Sequence, residues 1–168
     1  FRCFTRADLL LKLGKDMVQK MADAGCVEFG MGVESGSEKI LRVINKGETL
    51  DTIQRGIELA RGCGIRVKGF LIVGLPSESK ISIRETEEFL KKGLLSDVDF
   101  TVFTPYKGSA IYNNKPAYDI GWDKIDLEHS WYKGRPDSYN SNVWTSGLTQ
   151  PEIVEARDYL ERTYKTWQ

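Results

Sequence analysis

The order of its periodicities constrains this chain most. Runs at residues 1–6, 27–33, 65–73 and 98–103 alternate apolar and polar side chains, and the stretches between them repeat apolar residues at helical spacing. Strand followed by helix, several times over, is the pattern of a parallel sheet or barrel built from βα units. A helix is expected over 15–24, where Val18, Met21 and Ala22 share a face and Gly25 supplies a left-handed stop. Ser35-Gly36-Ser37 opens a short helix with Ile40, Leu41 and Ile44 on its apolar side, ended by Gly47. Thr49 can cap the next, in which Leu50, Ile53, Ile57 and Ala60 recur up to Gly62-Cys63-Gly64. Ser82 with Glu85 reads as a capping box for a helix running to about Lys92.

Beyond residue 112 the pattern changes. From 113 to 147 periodicity fails, and Trp122, Trp131, Tyr132, Tyr139 and Trp144 crowd an irregular segment that reads as a covering layer. Thr149-Gln150-Pro151-Glu152 is a second capping box and opens a last helix with Ile153, Ala156, Tyr159, Leu160 and Tyr164 on or near one side. That helix is placed to close the exposed edge of the sheet. Residues 1–112 thus hold the βα units, and 113–168 an aromatic cover and terminal helix of the same domain.

Composition excludes more than it assigns. A length of 168 residues, 40% hydrophobic and 29% charged side chains and a formal net charge of +0 suit one globular domain and give no electrostatic sign of a nucleic-acid binder. No apolar run approaches a membrane span, and residues 1–8 do not resemble a signal peptide, so a cytoplasmic location is expected. Cys3, Cys26 and Cys63 are odd in number and widely spaced, which argues against a disulfide framework or a local metal knuckle. The abrupt start at Phe1, inside a strand-like run, reads as a piece of something longer.

Side-chain alternation says where the strands point their polar groups. In the second run Phe29, Met31 and Val33 fall on one side, and Gly30, Gly32 and Glu34 on the other, toward the inside of a barrel. Two glycines clear space there that leads to a carboxylate at the strand's C-terminal end. The third run offers Arg66, Lys68, Phe70 and Ile72 to the same side, and the fourth Asp99, Thr101 and Phe103. A lumen holding Glu34, Lys68, Asp99 and Thr101 calls either for a polar ligand or for mutual pairing of the charges; the ligand is the expectation. Glu34-Ser35-Gly36, Gly74-Leu75-Pro76 and Pro105-Tyr106 all follow strand ends, the edge at which parallel α/β folds bind ligands. Cys26 and Cys63 lie at the other edge.

Arg6-Ala7-Asp8, Ala24-Gly25-Cys26, Gly32-Val33-Glu34-Ser35-Gly36-Ser37-Glu38, Asn45-Lys46-Gly47, Phe70-Leu71-Ile72-Val73-Gly74-Leu75-Pro76 and Thr104-Pro105-Tyr106 together resemble, in order and spacing, the radical S-adenosylmethionine (SAM) superfamily. The likeness spans residues 1–112 and is nearest to the group that often carries a cobalamin-binding domain upstream. It implies a partial, TIM-like parallel βα barrel. In an intact parent, SAM bound to a four-iron four-sulfur cluster would be cleaved reductively to a 5′-deoxyadenosyl radical. The CxxxCxxC loop and the glycine-glycine-glutamate stretch of that family do not occur in this chain, so no catalytic or metal-binding residue is assigned to it.

Carried over by position, the resemblance gives Glu34 the SAM ribose, with Ser35 beside it as a further cofactor-binding candidate, Lys46 a basic position that in some members reaches the SAM carboxylate, Ile72 and Gly74 the adenine, and Pro105 and Tyr106 the adenine or substrate. Three have a simpler explanation: a carboxylate at a helix N-terminus for Glu34, a helix-end lysine in solvent for Lys46, and core burial for Ile72. Ser77, Ser79 and Lys107 depart from the family, which more often has glycine, threonine and proline there. The expected partners are SAM and an unidentified substrate. Two other readings stay open: a βα barrel using Glu34, Lys68 and Asp99 in acid–base chemistry, and a non-catalytic binding module. A tRNA methylthiotransferase is a third possible parent, without support from the charge.

Overall fold

A computed structural model describes residues 1–125, 137 and 140–166. Trp131, Tyr132, Tyr139 and the single His129 lie outside the described residues. Four strands, β1 (Arg2–Thr5), β2 (Glu28–Glu34), β3 (Arg66–Val73) and β4 (Asp97–Val102), form one sheet in the order β1-β2-β3-β4, and each neighbouring pair is parallel. Helices α1 (Ala7–Asp23), α2 (Glu38–Val43), α3 (Leu50–Gly62) and α4 (Lys80–Lys91) are the crossovers. After β4 come α5 (Ala110–Asn113), a 3-10 turn at Lys115–Ala117 and α6 (Gln150–Tyr164).

Alternation sets the two faces of the sheet as read from the sequence. Phe29, Met31, Val33, Val67, Leu71, Val73, Val98, Phe100 and Val102 are buried in the core with Leu10, Val18, Ile53, Ile57 and Phe89 from the helices. Gly30, Gly32, Glu34, Lys68, Phe70, Ile72, Asp99, Thr101 and Phe103 are only half-buried on the opposite face. That face is layered. Glu28 pairs with Arg2 and Arg66 at the start of the strands, and Phe4 meets Phe70 across Gly30 with ring centroids 5.8 Å apart in the middle.

Two helix starts differ from the sequence reading. Helix α1 begins at Ala7, directly after β1, and is broken at Gly14 (φ 76°), so the expected helix over 15–24 is its second segment. Helix α4 is capped by Ser79, not Ser82: the Ser79 N–H donates to Ser82 Oγ at 2.8 Å and Ser79 Oγ accepts from the Ser82 N–H at 3.5 Å. The reciprocal bond needs only a hydroxyl at the third helical position, so Glu85 has no part in it.

Helix α6 covers the free edge of β4 through buried polar groups. Phe100 donates its N–H to Glu161 Oε2 at 3.3 Å, and its carbonyl accepts from Arg157 Nε at 3.2 Å. Arg157 is 1% exposed and pairs with Asp158 at 2.8 Å and Glu161 at 3.3 Å. An unpaired strand edge is thereby satisfied by side chains, and its further pairing is blocked.

Below α6 the chain end reaches the floor of the open face. Lys68 contacts Asp97 at 3.0 Å and Asp99 at 2.8 Å; Lys165 contacts Asp99 at 2.6 Å. Burial pushes Asp97 and Asp99 up, but the bonds from Lys68, Lys165 and Thr166 outweigh it and hold both below the ordinary value. This corrects the expectation of a ligand among these charges: they pair with one another. The pairing also separates them from Glu34, since Lys68 stands opposite Gly30, four residues before Glu34 on β2, or about 13 Å along a strand. The acid–base trio of Glu34, Lys68 and Asp99 is therefore not assembled.

Candidate ligand site at the C-terminal edge of the sheet

Because the strands are parallel, the segments that follow β2, β3 and β4 share one edge. Glu34 dominates it. The β2–β3 register slips between Gly32 and Glu34, so that Gly32 stands opposite Phe70 and Glu34 opposite Leu71, and Glu34 takes φ 65°. The slip should send Glu34 toward the helices with Leu71, but the left-handed backbone swings its carboxylate back over Gly32. Such a conformation costs a residue with a Cβ about 1–2 kcal/mol, and strain of this kind gathers at functional sites.

Lys46 holds that carboxylate. Its ammonium lies 3.1 Å from Glu34 Oε1 and 3.5 Å from Glu48 Oε2, and its side chain is 10% exposed. Asn45 (φ 52°) and Gly47 (φ 74°) turn the chain on either side of it. Glu48 is buried; its Oε1 accepts the Asp8 N–H at 3.0 Å and its Oε2 faces Arg6 at 3.5 Å. Arg6 also donates to Asp8 at 3.0 Å and to the Lys46 carbonyl at 3.4 Å. Their mutual hydrogen bond raises the Arg6 guanidinium and lowers the Asp8 carboxyl from their usual values. The loop after α2 is thus tied to the end of β1. Among the described residues Glu34 Oε2 has no hydrogen-bond partner.

The other sequence-derived candidates divide. The Ser35 side chain does not open to this edge: its hydroxyl is buried 3.3 Å from Thr86 Oγ1 on α4 and accepts the Ser37 N–H at 3.2 Å. It serves the strand–helix junction, where Gly36 is pressed so close that a Cβ would stand 2.5 Å from Thr86 Cα. Ile72 is half-buried on the open face. Gly74 takes φ 87°, and its N–H donates to the Glu78 carboxyl. Pro105 is buried, Tyr106 is 58% exposed, and the neighbouring Thr104 hydroxyl is buried with no hydrogen-bond partner among the described residues.

Sequence reasoning missed Arg6, Glu48 and Glu78 as parts of this edge. Glu78 is enclosed under the loop after β3, and burial pushes its carboxyl up to about 8 against the bonds from the Gly74 and Leu75 N–H groups. Its carbonyl accepts the Thr145 hydroxyl at 2.7 Å, which fastens the segment after Gly121 onto this loop. Only the apolar setting of Glu78, between Leu75-Pro76 and a capped helix, could have marked it.

Residues 2–90 match the family model of the radical SAM superfamily. The chain belongs to that superfamily. An uncharacterised methyltransferase of Pyrococcus horikoshii is 28% identical over 125 residues, covering 72% of this chain and 27% of the relative. Coproporphyrinogen III oxidase from Escherichia coli, a radical SAM enzyme, superposes with a TM-score of 0.61 at 15% identity over 96% of this chain and 32% of the oxidase. The radical SAM methyltransferase TsrM from Kitasatospora setae, solved with cobalamin and a four-iron four-sulfur cluster, superposes with a TM-score of 0.51 at 19% identity over 61% of this chain and 20% of TsrM. The chain spans about a third or less of each of these proteins, and the solved structures bear out the fold: a partial, TIM-like parallel βα barrel.

Two groups that the radical SAM superfamily implies can be tested against these residues. The edge fits a nucleoside: Glu34 Oε2, without a hydrogen-bond partner among the described residues, is an open acceptor for a diol, and Ile72 and Phe103 give apolar surface. An iron–sulfur cluster is not fitted. Cys26 precedes β2 and Cys63 precedes β3, at the far edge of the sheet, and the described residues contain no group of three metal-ligating side chains.

Proposed function

We propose that this chain supplies the SAM-binding C-terminal part of a radical SAM barrel whose cluster ligands are carried elsewhere in the parent protein. The observation that carries the reading is the Glu34 carboxylate, turned by its left-handed backbone over Gly32 with one oxygen unpaired among the described residues. That oxygen accepts hydrogen bonds from the ribose diol, charge-assisted contacts worth about 1.5–3 kcal/mol each. Ile72 and the backbone at Gly74 hold the adenine, with Pro105 and Tyr106 beside it. Ser35 contributes through its backbone at the strand end, its hydroxyl being committed to Thr86. SAM, when bound, supplies the radical chemistry, for which the residues of this chain orient the nucleoside and exclude water from its apolar side.

The Pyrococcus and Kitasatospora methyltransferases favour methyl transfer in the parent, and the cobalamin in TsrM favours a cobalamin-binding domain there. The three free cysteines suit a reducing, cytoplasmic compartment. No helix among the described residues is long and apolar enough to cross a membrane. Calorimetric titration with SAM tests the binding claim. The wild-type chain should bind, and Glu34→Ala should weaken binding by about tenfold or more. Absence of binding, or equal binding by both, overturns it.

A further inference from the structure

Glu78 stands where three parts of the fold meet. It ends the loop after β3, directly precedes the capped start of α4, and touches two pieces of the irregular segment, residues 119–122 and 143–148, through their bonds to the same loop. Those two pieces form one strap. Gly121 and Trp144 exchange N–H and carbonyl bonds at 2.8 and 3.0 Å, and the Thr145 N–H closes a turn on the Leu148 carbonyl at 2.9 Å. The strap is fastened to the loop by backbone and hydroxyl groups: the Ser77 N–H donates to the Asp119 carbonyl at 2.9 Å, the Thr145 hydroxyl donates to the Glu78 carbonyl at 2.7 Å, and Gly147 pairs with Ser79. A Cβ on Gly147 would stand 2.7 Å from Ser79 Cβ and 3.0 Å from the Glu78 carbonyl oxygen, so strap and loop lie in direct contact.

Among the described residues no cation faces the Glu78 carboxyl. Glu78 is 1% exposed and accepts the N–H groups of Gly74 and Leu75, while Val143 of the strap and Ile153 of α6 pack against Gly74. Charged groups on the surrounding elements are engaged elsewhere. Lys80 of α4 pairs with Glu152 of α6 at 2.7 Å, Asp119 of the strap accepts from Ser146, and Arg84 and Glu155 are exposed. Two neutral donors do not offset the loss of water around a carboxylate, so burial pushes the group up to about 8. An ionised Glu78 needs water, which arrives by the path that breaks least. Strand β3 is paired on both sides and α6 is anchored to β4 through Arg157 and Glu161; the strap, irregular and outside the sheet, is the part that can lift.

We propose that Glu78 is a proton-operated latch for the strap. With its proton on, the carboxyl stays dry and the strap lies closed on the loop after β3; when the proton passes to solvent, the strap lifts and water reaches the carboxylate. Nothing in this device requires a ligand at the edge of the sheet.

Amide hydrogen exchange of the full chain, corrected for its intrinsic pH dependence, reads the opening at Gly121, Trp144 and Thr145, whose N–H groups bond within the strap. An opening that frees a buried carboxyl becomes about tenfold more frequent per pH unit between the open and closed values of that group. Protection of these three amides should therefore fall about a hundredfold between pH 6 and 8, while staying at least about tenfold below that of Leu71 and Val73 in β3. Glu78→Gln, which cannot ionise, should show no such fall. Strap protection independent of pH, or the same fall in Glu78→Gln, would overturn the proposal. Strap protection equal to that of β3 would overturn it too, because the strap would then open only with the whole fold. Should Glu78→Gln not fold, Thr145→Val decides, since it removes the hydroxyl tie and keeps the carboxyl. Its strap protection should drop about tenfold with the same pH slope, and unchanged protection or a lost slope overturns the latch.

Discussion

Glu34 Oε1 occupies the space that a side chain on Gly32 would fill, 2.5 Å from the position of the missing Cβ. The atoms in that space are the mobile ends of Glu34 and Lys46, not backbone. Gly32→Ala should therefore change the free energy of unfolding by less than about 1 kcal/mol while pushing the carboxylate off the strand. Adenosine affinity should fall about tenfold, as for loss of one charge-assisted bond. Urea unfolding and calorimetry on the same variant check both halves, and a large loss of stability would show that the backbone, not the carboxylate, had moved.

Glu78 sets a pH dependence of stability. Its folded-state value, pushed up to about 8 from 4.5, means that the proton is held more tightly in the fold than in the unfolded chain. The associated stability is complete below about pH 4.5 and is lost as pH rises through about 8. Asp97 and Asp99 run the other way, their contribution being present above about pH 3.8 and lost as pH falls, because their folded values are depressed. Between about pH 5 and 8 the Glu78 effect stands alone among these three, and stability should decline by on the order of 2–4 kcal/mol. Glu78→Gln should flatten that decline, as read from denaturant midpoints across the range.

Ser77 takes φ 63° in the turn after β3, where the family more often has glycine. A Cβ is strained there, and glycine is not. Ser77→Gly keeps the N–H that donates to the Asp119 carbonyl at 2.9 Å. The net gain should be about 0.5–1 kcal/mol after the extra unfolded-state entropy of glycine is counted, visible as a raised thermal midpoint.

Arg157 joins α6 to the edge of β4. Truncation to alanine would leave the largely buried Asp158 and Glu161 carboxylates without their guanidinium and the Phe100 carbonyl without its donor. A loss of about 3–5 kcal/mol is expected. Bared strand edges template association, so light scattering should rise along with the drop in midpoint.

Iron analysis addresses the cluster. With Cys26 and Cys63 at the far edge of the sheet, the purified chain should hold no stoichiometric iron after anaerobic reconstitution. About four irons per chain with a thiolate-to-iron absorption band would contradict the assignment of the cluster to other parts of the parent.

The βα order, the strand parities and the caps at Thr49 and Thr149 were legible because each depends on residues within a turn or two of one another. The start of α1 was not: Gly14 hid the first segment, since a glycine in a helical pattern also reads as a stop. Glu34 was placed on the correct face by simple alternation, yet the backbone reaches that face by a register slip and a positive φ that alternation does not contain.

The sequence by itself determined the family, the order of its strands and helices, and that the segments following β2, β3 and β4 meet at one edge, since parallel strands bring their ends together whatever the packing detail. Which charges are open there was decided by the tertiary structure alone. Lys68 and Asp99 are consumed by Asp97 and Lys165, which arrive from β4 and from the end of α6. Lys46 is shared between Glu34 and Glu48, and Ser35 is drawn under α4. Pairing energies fall steeply with distance and depend on burial, and both quantities exist only once segments remote in the chain have been packed against one another.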